Sequence, residues 1–380
     1  EAAELSRLRL PYLSFPQAIR QFAIGDKKSI VISGTHGKTT TASLIAWILE
    51  TAGMDPGFMI GGIPRNFETN FKLGEGRYFV IEGDEYDSAF FDKGPKFLHY
   101  NPLFVILTSI EFDHADIYRD LDHVIGSFRK LMDLIPTDGR LIANGDDETI
   151  CREITRAACE VETYGFGKKN HWQIANMDDS KAFTAVKVVQ GGQAQTTFET
   201  PLFGRHNISN LMSAVVLAHV LGVPRDALFS ALKTFKGVKR RQEIIGEKKG
   251  IMVMDDFAHH PTAVKETVQA VKQKYPHRRL VVVFEPRSNS SRRNIFQAQY
   301  AGSFDDGDVM MIREPPMMEK IPVAERFSVG QLVSDLGTKG LEAHCFADTD
   351  SLLASLLSGS RAGDMVLIMS NGGFDDLHQR

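Results

Sequence analysis

The chain has 380 residues, 43% hydrophobic and 24% charged, a composition typical of a soluble globular protein of two or three domains. Its formal net charge of −4 excludes an overall field that would attract nucleic acid, and its three cysteines, Cys151, Cys159 and Cys345, are too few and too scattered for a disulfide framework or a zinc site. No apolar run approaches the roughly 20 residues that cross a bilayer, so we expect a cytoplasmic protein that binds neither nucleic acid nor membrane.

Short β-branched runs alternate with amphipathic segments in the first half of the chain. Thr39–Ala52 and Asp122–Ile135 have helical spacing, and Gly53 stands where the end of a helix is expected. The β-branched runs are typical of buried parallel strands. They are Ser29–Ser33, Tyr78–Glu82, Phe104–Ser109 and Leu141–Asn144.

The pattern changes at residues 161–203, which alternate around Gly191-Gly192 and predict an antiparallel hairpin before a helix that starts near Asn207. From about residue 239 a second α/β series begins, after a short hinge-like stretch at Phe235–Val238. Its predicted strands are Ile251–Met254, Leu280–Phe284, Val309–Ile312, His344–Phe346 and Val366–Met369.

A phosphate-binding loop is predicted between the first strand and the first helix. Glycines let backbone N–H groups curl around phosphate oxygens, the helix N-terminus adds partial positive charge, the lysine supplies a cation and the following threonine a hydroxyl for Mg²⁺. The motif lacks the usual outer glycine, because Ile32 stands at that position. The alternative interpretation is an incidental turn at the start of a helix. The loop residues are Gly34, Thr35, His36, Gly37, Lys38, Thr39 and Thr40.

Two acidic segments follow the next two strands, residues 82–87 and 111–116. Ligand groups gather at the carboxyl ends of strands in open α/β sheets. A carboxylate and an imidazole from these segments, brought beside Thr39, would hold one or two Mg²⁺ ions against nucleotide phosphates, although an imidazole is a less usual magnesium ligand. The alternative is that these charges form solvated loops. We predict a P-loop ATPase domain with a mainly parallel sheet and a small antiparallel insertion, followed by a Rossmann-like α/β domain.

Six blocks in order along the chain resemble the Mur ligases, the ATP-dependent amino-acid and peptide ligases of bacterial cell-wall synthesis. The blocks are GTHGKTT (34–40), EGDEYD (82–87), EFDHAD (111–116), GRHNISN (204–210), KRRQE (239–243) and DDFAHHPTAV (255–264). Further stretches, among them FEPRSNSSRR (284–293), resemble the members that attach L-Ala-γ-D-Glu-meso-diaminopimelate to UDP-N-acetylmuramate more than those that attach L-alanine. Alternatives of another class are a P-loop ATPase or kinase and a nucleotide-binding module without ligase activity.

The resemblance implies that ATP converts the substrate carboxylate to an acyl phosphate, which the incoming amine attacks. It implies ATP and Mg²⁺ as cofactors, with Lys38 on the phosphates and Thr39, Glu82 and His114 at the metal. Nucleotide contacts are implied for His206, Asn207, Asn210, Asp256 and His260. His206 equally fits a packing role.

Arg241, with Arg240, is implied to bring a cation to the γ-phosphate when the domains close, and a lysine would not replace that forked guanidinium. Composition alone would favour a solvated basic stretch. The chain has Phe257 and Ala258 where family members often have tyrosine and glycine, which puts that tyrosine's hydrogen bond in doubt.

Peptide choice is expected in the C-terminal domain. Arg287, with Ser288 and Asn289 after the strand VVVFEP, is a candidate for a bidentate bond to a diaminopimelate carboxylate; a solvated arginine in a strand-end loop is the alternative. Several Mur ligases carry a carbamoylated lysine where this chain has Phe128 or Arg129, so no carbamate is expected here.

The resemblance also implies a domain order. Residues 1–28 match the end of a UDP-binding domain, residues 29–237 the central ATP-binding domain and residues 238–380 the C-terminal ligase domain. We expect the parent enzyme to have three domains, and this chain alone to bind UDP-N-acetylmuramate weakly. As partners we expect UDP-N-acetylmuramate and the murein tripeptide, with the protein a monomer or weak homodimer.

Overall fold

The computed structural model describes residues 4, 7, 8 and 11–380, with the backbone alone at 193–195. The predicted remnant at 1–28 therefore lies partly outside the described residues. The described chain forms two compact units, the first ending at Val238 and the second spanning Lys239–Arg380. No helix in the described part of the chain is long and apolar enough to cross a membrane.

The first unit is built on a ten-stranded sheet in the order β12-β11-β10-β9-β8-β7-β1-β4-β2-β3, beside a separate hairpin of β5 and β6. Its strands are β1 (Lys28–Ser33), β2 (Gly57–Met59), β3 (Phe71–Lys72), β4 (Tyr78–Gly83), β5 (Asp87–Ala89), β6 (Asp92–Pro95), β7 (Pro102–Leu107), β8 (Arg140–Asn144), β9 (Glu160–Gly165), β10 (Trp172–Asp178), β11 (Thr184–Gln190) and β12 (Gln193–Thr200).

The centre of this sheet is parallel, as predicted. β1 lies between β4 and β7, with Ile30 opposite Val80 on one side and Phe104 on the other. β8, β9 and β10 continue the parallel order, and β11 and β12 then pair antiparallel as the predicted insertion. Gly191 and Gly192 connect β11 and β12 with φ of 54° and 74°, a left-handed conformation that glycine adopts without strain.

Helices cover both faces of the sheet and divide the unit's core in two. One core packs α2, α5 and α6 against the sheet, and the other packs α3 against the opposite face. Both faces of β1 are therefore buried, which explains its continuous apolar run. The α-helices are α1 (Phe15–Ile19), α2 (Lys38–Thr51), α3 (Leu121–Asp133), α4 (Glu148–Glu153), α5 (Arg205–Val220) and α6 (Arg225–Thr234).

The second unit has a six-stranded sheet in the order β13-β14-β18-β15-β16-β17. All pairs are parallel except β13–β14, so the five predicted strands are confirmed, while the antiparallel edge strand β13 was not predicted. The elements are β13 (Glu243–Lys248), β14 (Ile251–Asp256), α7 (Pro261–Lys274), β15 (Arg279–Phe284), α8 (Gln297–Tyr300), β16 (Val309–Arg313), α9 (Val329–Thr338), β17 (Glu342–Phe346), α10 (Thr349–Gly359) and β18 (Asp364–Met369).

Candidate functional site

The predicted phosphate loop connects β1 to α2, and two of its glycines are sterically required. Gly34 and Gly37 have φ of 130° and 82°, outside the region that other residues adopt without strain. A Cβ on Gly34 would stand 2.2 Å from Thr108 Oγ1, and one on Gly37 would stand 2.2 Å from Asn210 Oδ1. The loop backbone thus lies closely against β7's carboxyl end and against α5.

Side chains at the end of β7 fix the shape of the loop. Thr35 Oγ1 accepts a hydrogen bond from the Glu111 N–H at 2.9 Å and donates to the Glu111 carbonyl at 3.2 Å. The backbone N–H of His36 donates to Ser109 Oγ at 3.0 Å. These three hydrogen bonds join the loop to the segment that follows β7.

Lys38 is the cation of the loop, and it is surrounded by acceptors. Its Nζ donates to the Gly34 carbonyl at 2.6 Å and to Glu85 Oε2 at 3.0 Å, with Asp84 Oδ1 at 4.0 Å. Burial alone would lower the pKa of Lys38, but the negative charges of Glu85 and Asp84 outweigh it and raise that pKa. The ammonium is charged and held in place.

Oxygen donors suited to a magnesium ion lie at the first turn of α2. The Thr39 hydroxyl donates to Glu82 Oε2 at 3.0 Å, and Glu82 Oε1 accepts from the Gly61 N–H at 2.6 Å. Burial raises the pKa of Glu82, and the neighbouring charge of Asp84 raises it further. Burial and the charge of Asp84 both disfavour the ionised form of Glu82. A bound divalent cation would offset both effects, so this carboxylate is suited to one.

His114 contacts the same cluster through the carboxylate of Glu85, which the sequence did not single out as a site residue. Its Nε2 lies 3.2 Å from Glu85 Oε1, and its backbone has a φ of 52°. Burial alone would lower the pKa of His114, but the bond to Glu85 raises it. Burial alone would raise the pKa of Glu85, but Lys38 and His114 outweigh this effect and lower it. Glu85 thus connects the predicted lysine and histidine.

Tyr118 supports Glu85 from the segment before α3. Its hydroxyl donates to the Glu85 carbonyl oxygen and lies 3.1 Å from Ser127 Oγ. Burial raises the pKa of Tyr118 to about 12, so the phenol stays protonated and keeps donating. Glu85 belongs to the block EGDEYD at 82–87. Nothing in the sequence of that block indicates that Glu85, at 2% exposure, is its buried acid.

Three further predicted residues lie on the first turns of α5. Asn210 is buried and contacts the loop at Gly37. Asn207 is buried too, and its Nδ2 donates to the Phe203 carbonyl at 3.2 Å, while His206 is half-buried. Asn210 thus connects α5 to the loop.

The second unit carries its own predicted residues near its start. Arg240 and Gln242 have φ of 61° and 48°, left-handed conformations that are strained for these side chains, and they flank Arg241. The Arg241 guanidinium lies 4.6 Å from the ring centroid of Phe257 and that of Arg240 lies 5.5 Å from it. Phe257, where the resemblance implied that tyrosine is frequent, thus contacts both arginines by cation–π interaction.

Asp256 and His260 organise the segment after β14. Asp256 accepts from the N–H groups of Gln242 and Ala258, each at 2.7 Å, and burial raises its pKa. His260 is the N-cap of α7, where its Nδ1 accepts from the Thr262 N–H at 3.3 Å. Both side chains therefore have structural partners within the second unit.

The candidate peptide-reading loop follows β15. Ser288 Oγ lies 2.9 Å from Ser291 Oγ, and Asn289 Oδ1 accepts from Arg292 Nη2 at 2.7 Å, so both shape the loop from within. Arg287 differs, since its hydrogen bond within the described part of the chain is a long 3.4 Å contact to Glu285 Oε1.

The positions compared with the carbamoylated lysine lie on α3. Phe128 is completely buried in the apolar core, and Arg129 forms a two-pronged pair with Glu153 at 2.6 and 2.7 Å. Lys130 is exposed on the same helix.

Two family models match the chain, and together they span most of both units. The model described as the Mur ligase middle domain matches residues 32–218, and the model described as the Mur ligase, glutamate ligase domain matches residues 240–372.

Individual relatives match over nearly the whole chain. A protein of Escherichia coli K12 named UDP-N-acetylmuramate–L-alanyl-γ-D-glutamyl-meso-2,6-diaminoheptandioate ligase is 38% identical over 374 residues, 98% of this chain and 79% of that protein. A UDP-N-acetylmuramate–L-alanine ligase of Endomicrobium trichonymphae is 34% identical, covering 91% of this chain and 74% of its own length. The crystal structure of a murein peptide ligase, Mpl, from Psychrobacter arcticus 273-4 has a TM-score of 0.73 at 32% identity, covering 100% of this chain and 82% of that one.

Proposed function

The chain belongs to the Mur ligase family, and we propose that it is an ATP-dependent ligase that joins L-Ala-γ-D-Glu-meso-diaminopimelate to UDP-N-acetylmuramate. The similarity to the E. coli ligase of that name, 38% over 98% of the chain, is the single observation that carries the choice of substrates. The amide bond forms between the carboxylate of the sugar nucleotide and the α-amine of the tripeptide.

ATP is the substrate that the phosphate loop binds in this proposal. Gly34 and Gly37 keep the loop backbone free of side chains, and Lys38 is the cation for the β- and γ-phosphates. Lys38 donates to Glu85 at 3.0 Å, which holds the ammonium at the loop. When the nucleotide binds, the Lys38 ammonium exchanges the Glu85 carboxylate for a phosphate oxygen as its partner.

Mg²⁺ is the metal that suits the hydroxyl of Thr39 and the carboxylate of Glu82, which lie 3.0 Å apart. When bound, it neutralises charge that develops on the transferred phosphoryl group. His114 is the third proposed member of this set. His206, Asn207, Asn210, Asp256 and His260 are proposed as nucleotide contacts.

Acyl transfer of this kind requires orientation and charge neutralisation rather than a covalent protein nucleophile. Arg241 is proposed to supply a cation to the transferred phosphoryl group. Its guanidinium lies 4.6 Å from the ring centroid of Phe257, a cation–π contact that restrains the side chain. Arg287, with Ser288 and Asn289, is proposed to read a carboxylate of the tripeptide.

A ligation assay tests this function. The full-length protein is incubated with ATP, Mg²⁺ and UDP-N-acetylmuramate, together with either the tripeptide or L-alanine, and the nucleotide product is identified by mass spectrometry. We expect a tripeptide adduct and one phosphate released per amide. An adduct with L-alanine alone would assign the alanine reaction instead, and phosphate release without an amide would indicate an ATPase.

A further inference from the structure

A buried carboxylate lies at the base of the candidate peptide-reading loop. Glu285, directly after β15, is completely buried. Its Oε1 accepts from Arg313 Nη1 at 2.6 Å and from Arg287 Nη1 at 3.4 Å, while its Oε2 accepts from the Ser370 hydroxyl at 2.7 Å. Removing a charged group from water is costly unless its partners recover the loss, so this position calls for an explanation.

The same carboxylate fixes the turn on which Arg287 rests. Ser370 Oγ, which donates to Glu285, accepts from the Gly372 N–H at 3.0 Å. Arg240 Nη2 donates to the carbonyls of Ser370 and Gly372 at 2.6 and 2.7 Å. A Cβ on Gly372 would stand 2.1 Å from Arg287 Cδ, so the arginine side chain lies directly on the glycine. Glu285 thus contacts both the guanidinium of Arg287 and, through Ser370, the turn beneath it.

The two arginines that contact Glu285 differ in their other carboxylate partners. Arg313 has a second carboxylate partner, Asp375, at 3.0 Å, and its side chain is 13% exposed. Among the described residues Arg287 has only the long bond to Glu285, and its side chain is 32% exposed. The guanidinium of Arg287 therefore keeps N–H groups for an incoming anion, and a carboxylate accepts two of them in parallel.

We infer that Glu285 is a positioning residue, which orients Arg287 and the Ser370–Gly372 turn for recognition of a substrate carboxylate. The inference rests on the proposed function, in which the amine substrate carries that carboxylate. Glu285 itself does not touch the substrate. Its action is to limit the orientations of Arg287, so that binding does not have to order a mobile side chain.

Two substitutions disturb Arg287 by independent routes. Glu285→Gln weakens the bond that orients the guanidinium, and Gly372→Ala puts a methyl group where Arg287 Cδ lies. Each has a matched control. Asp375→Asn removes the other carboxylate from Arg313 without touching Arg287, and Gly373→Ala adds a methyl group with nothing within 4 Å.

Steady-state kinetics on the full-length ligase, with ATP and UDP-N-acetylmuramate saturating, provide the test. We expect both substitutions to raise KM for the amine substrate about 10-fold, the cost of a weakened charged hydrogen bond, and to leave KM for ATP unchanged. In an Arg287→Ala background neither should raise KM further, because the group through which they act is gone. Both controls should match the unaltered enzyme.

The outcomes separate this inference from the function on which it rests. A normal KM in both Glu285→Gln and Gly372→Ala, or an equal rise in the Arg287→Ala background, overturns the positioning role and leaves the ligase activity standing. An unaltered enzyme that forms no amide overturns both. If Glu285→Gln fails to fold, Gly372→Ala with its Gly373→Ala control decides the question.

Discussion

Asn210 on α5 and Gly37 in the phosphate loop are packed so closely that a Cβ on the glycine would stand 2.2 Å from Asn210 Oδ1. The contact joins the start of α2 to a helix from the far end of the first unit. It makes Gly37 a sterically constrained position as well as one with a left-handed backbone, at a φ of 82°.

Gly37→Ala should therefore destabilise the first unit by about 3 kcal/mol, the sum of left-handed strain and overpacking. Gly222→Ala is the matched control, since Gly222 has a φ of 71° but nothing within 4 Å, and it should cost about 1 kcal/mol. Urea unfolding followed by tryptophan fluorescence measures this, because Trp47 and Trp172 both lie in the first unit. An equal loss of unfolding free energy in the two variants would mean that the Asn210 side chain moves aside without cost.

Glu82→Gln should remove the magnesium dependence of ATP binding while leaving stability unchanged or higher. The raised pKa of Glu82 indicates that its charge is costly in the folded protein. A neutral amide relieves that cost, because its oxygen still accepts from the Gly61 N–H and its NH2 group donates to the Thr39 hydroxyl in place of the present bond. Calorimetric titration of ATP with Mg²⁺ and with EDTA gives the first quantity, and the melting temperature gives the second. The exposed Glu75→Gln should alter neither; a variant that still binds ATP more tightly with Mg²⁺ contradicts the metal assignment.

Arg241→Lys should lower kcat by roughly 10- to 100-fold, because lysine loses both the forked donors and the flat stack on Phe257. The dissociation constant of ADP should stay within about twofold, since ADP lacks the transferred phosphoryl group. Arg225→Lys, at an arginine stacked on Phe229 at 4.9 Å, controls for loss of stacking as such. A kcat unchanged in Arg241→Lys would remove this residue from the chemistry.

The stability of the second unit should fall in acid through Asp364. This carboxylate is buried and accepts from Arg279 at 2.9 and 2.7 Å and from the Arg361 N–H at 2.9 Å. Burial alone would raise the pKa of Asp364, but the bonds from Arg279 and Arg361 lower it below its ordinary value of 3.8. A lowered folded-state pKa contributes stability that is complete above the unfolded-state value and is lost as pH falls through the folded one.

Asp364→Asn should accordingly cost about 2 kcal/mol at neutral pH and flatten the decline in stability below about pH 4. Scanning calorimetry is the suitable measurement, because the second unit contains no tryptophan. Asp350→Asn breaks a surface pair with Arg380 in which the aspartate is 83% exposed, and it should change little. A variant with the acid sensitivity of the unaltered protein would exclude Asp364 as its source.

The central strands of both sheets could be predicted because local spacing indicates them, whereas the short strands β2, β3, β5 and β6 were not predicted. β1, the phosphate loop and α2 follow one another within residues 28–51, so the apolar run, the glycines and the helical period are sufficient. The edge strand β13 was missed because Glu243–Lys248 is mostly exposed and shows no buried face. Strand ends also shifted, as at β7, which ends at Leu107 and leaves Thr108 and Ser109 to contact the loop.

The sequence by itself determined two α/β units, a phosphate loop, and the acids and arginines available at the strand ends, since these follow from residue type and spacing. Only the tertiary structure decided which of them meet. Strand pairing places β4 and β7 on either side of β1, so Glu85 comes to lie between Lys38 and His114. In the second sheet β18 pairs beside β15, which puts Ser370 and Gly372 against Glu285 and Arg287. Spacing along the chain carries no record of such contacts, because the order of strands in a sheet is set by how the whole unit buries its apolar faces.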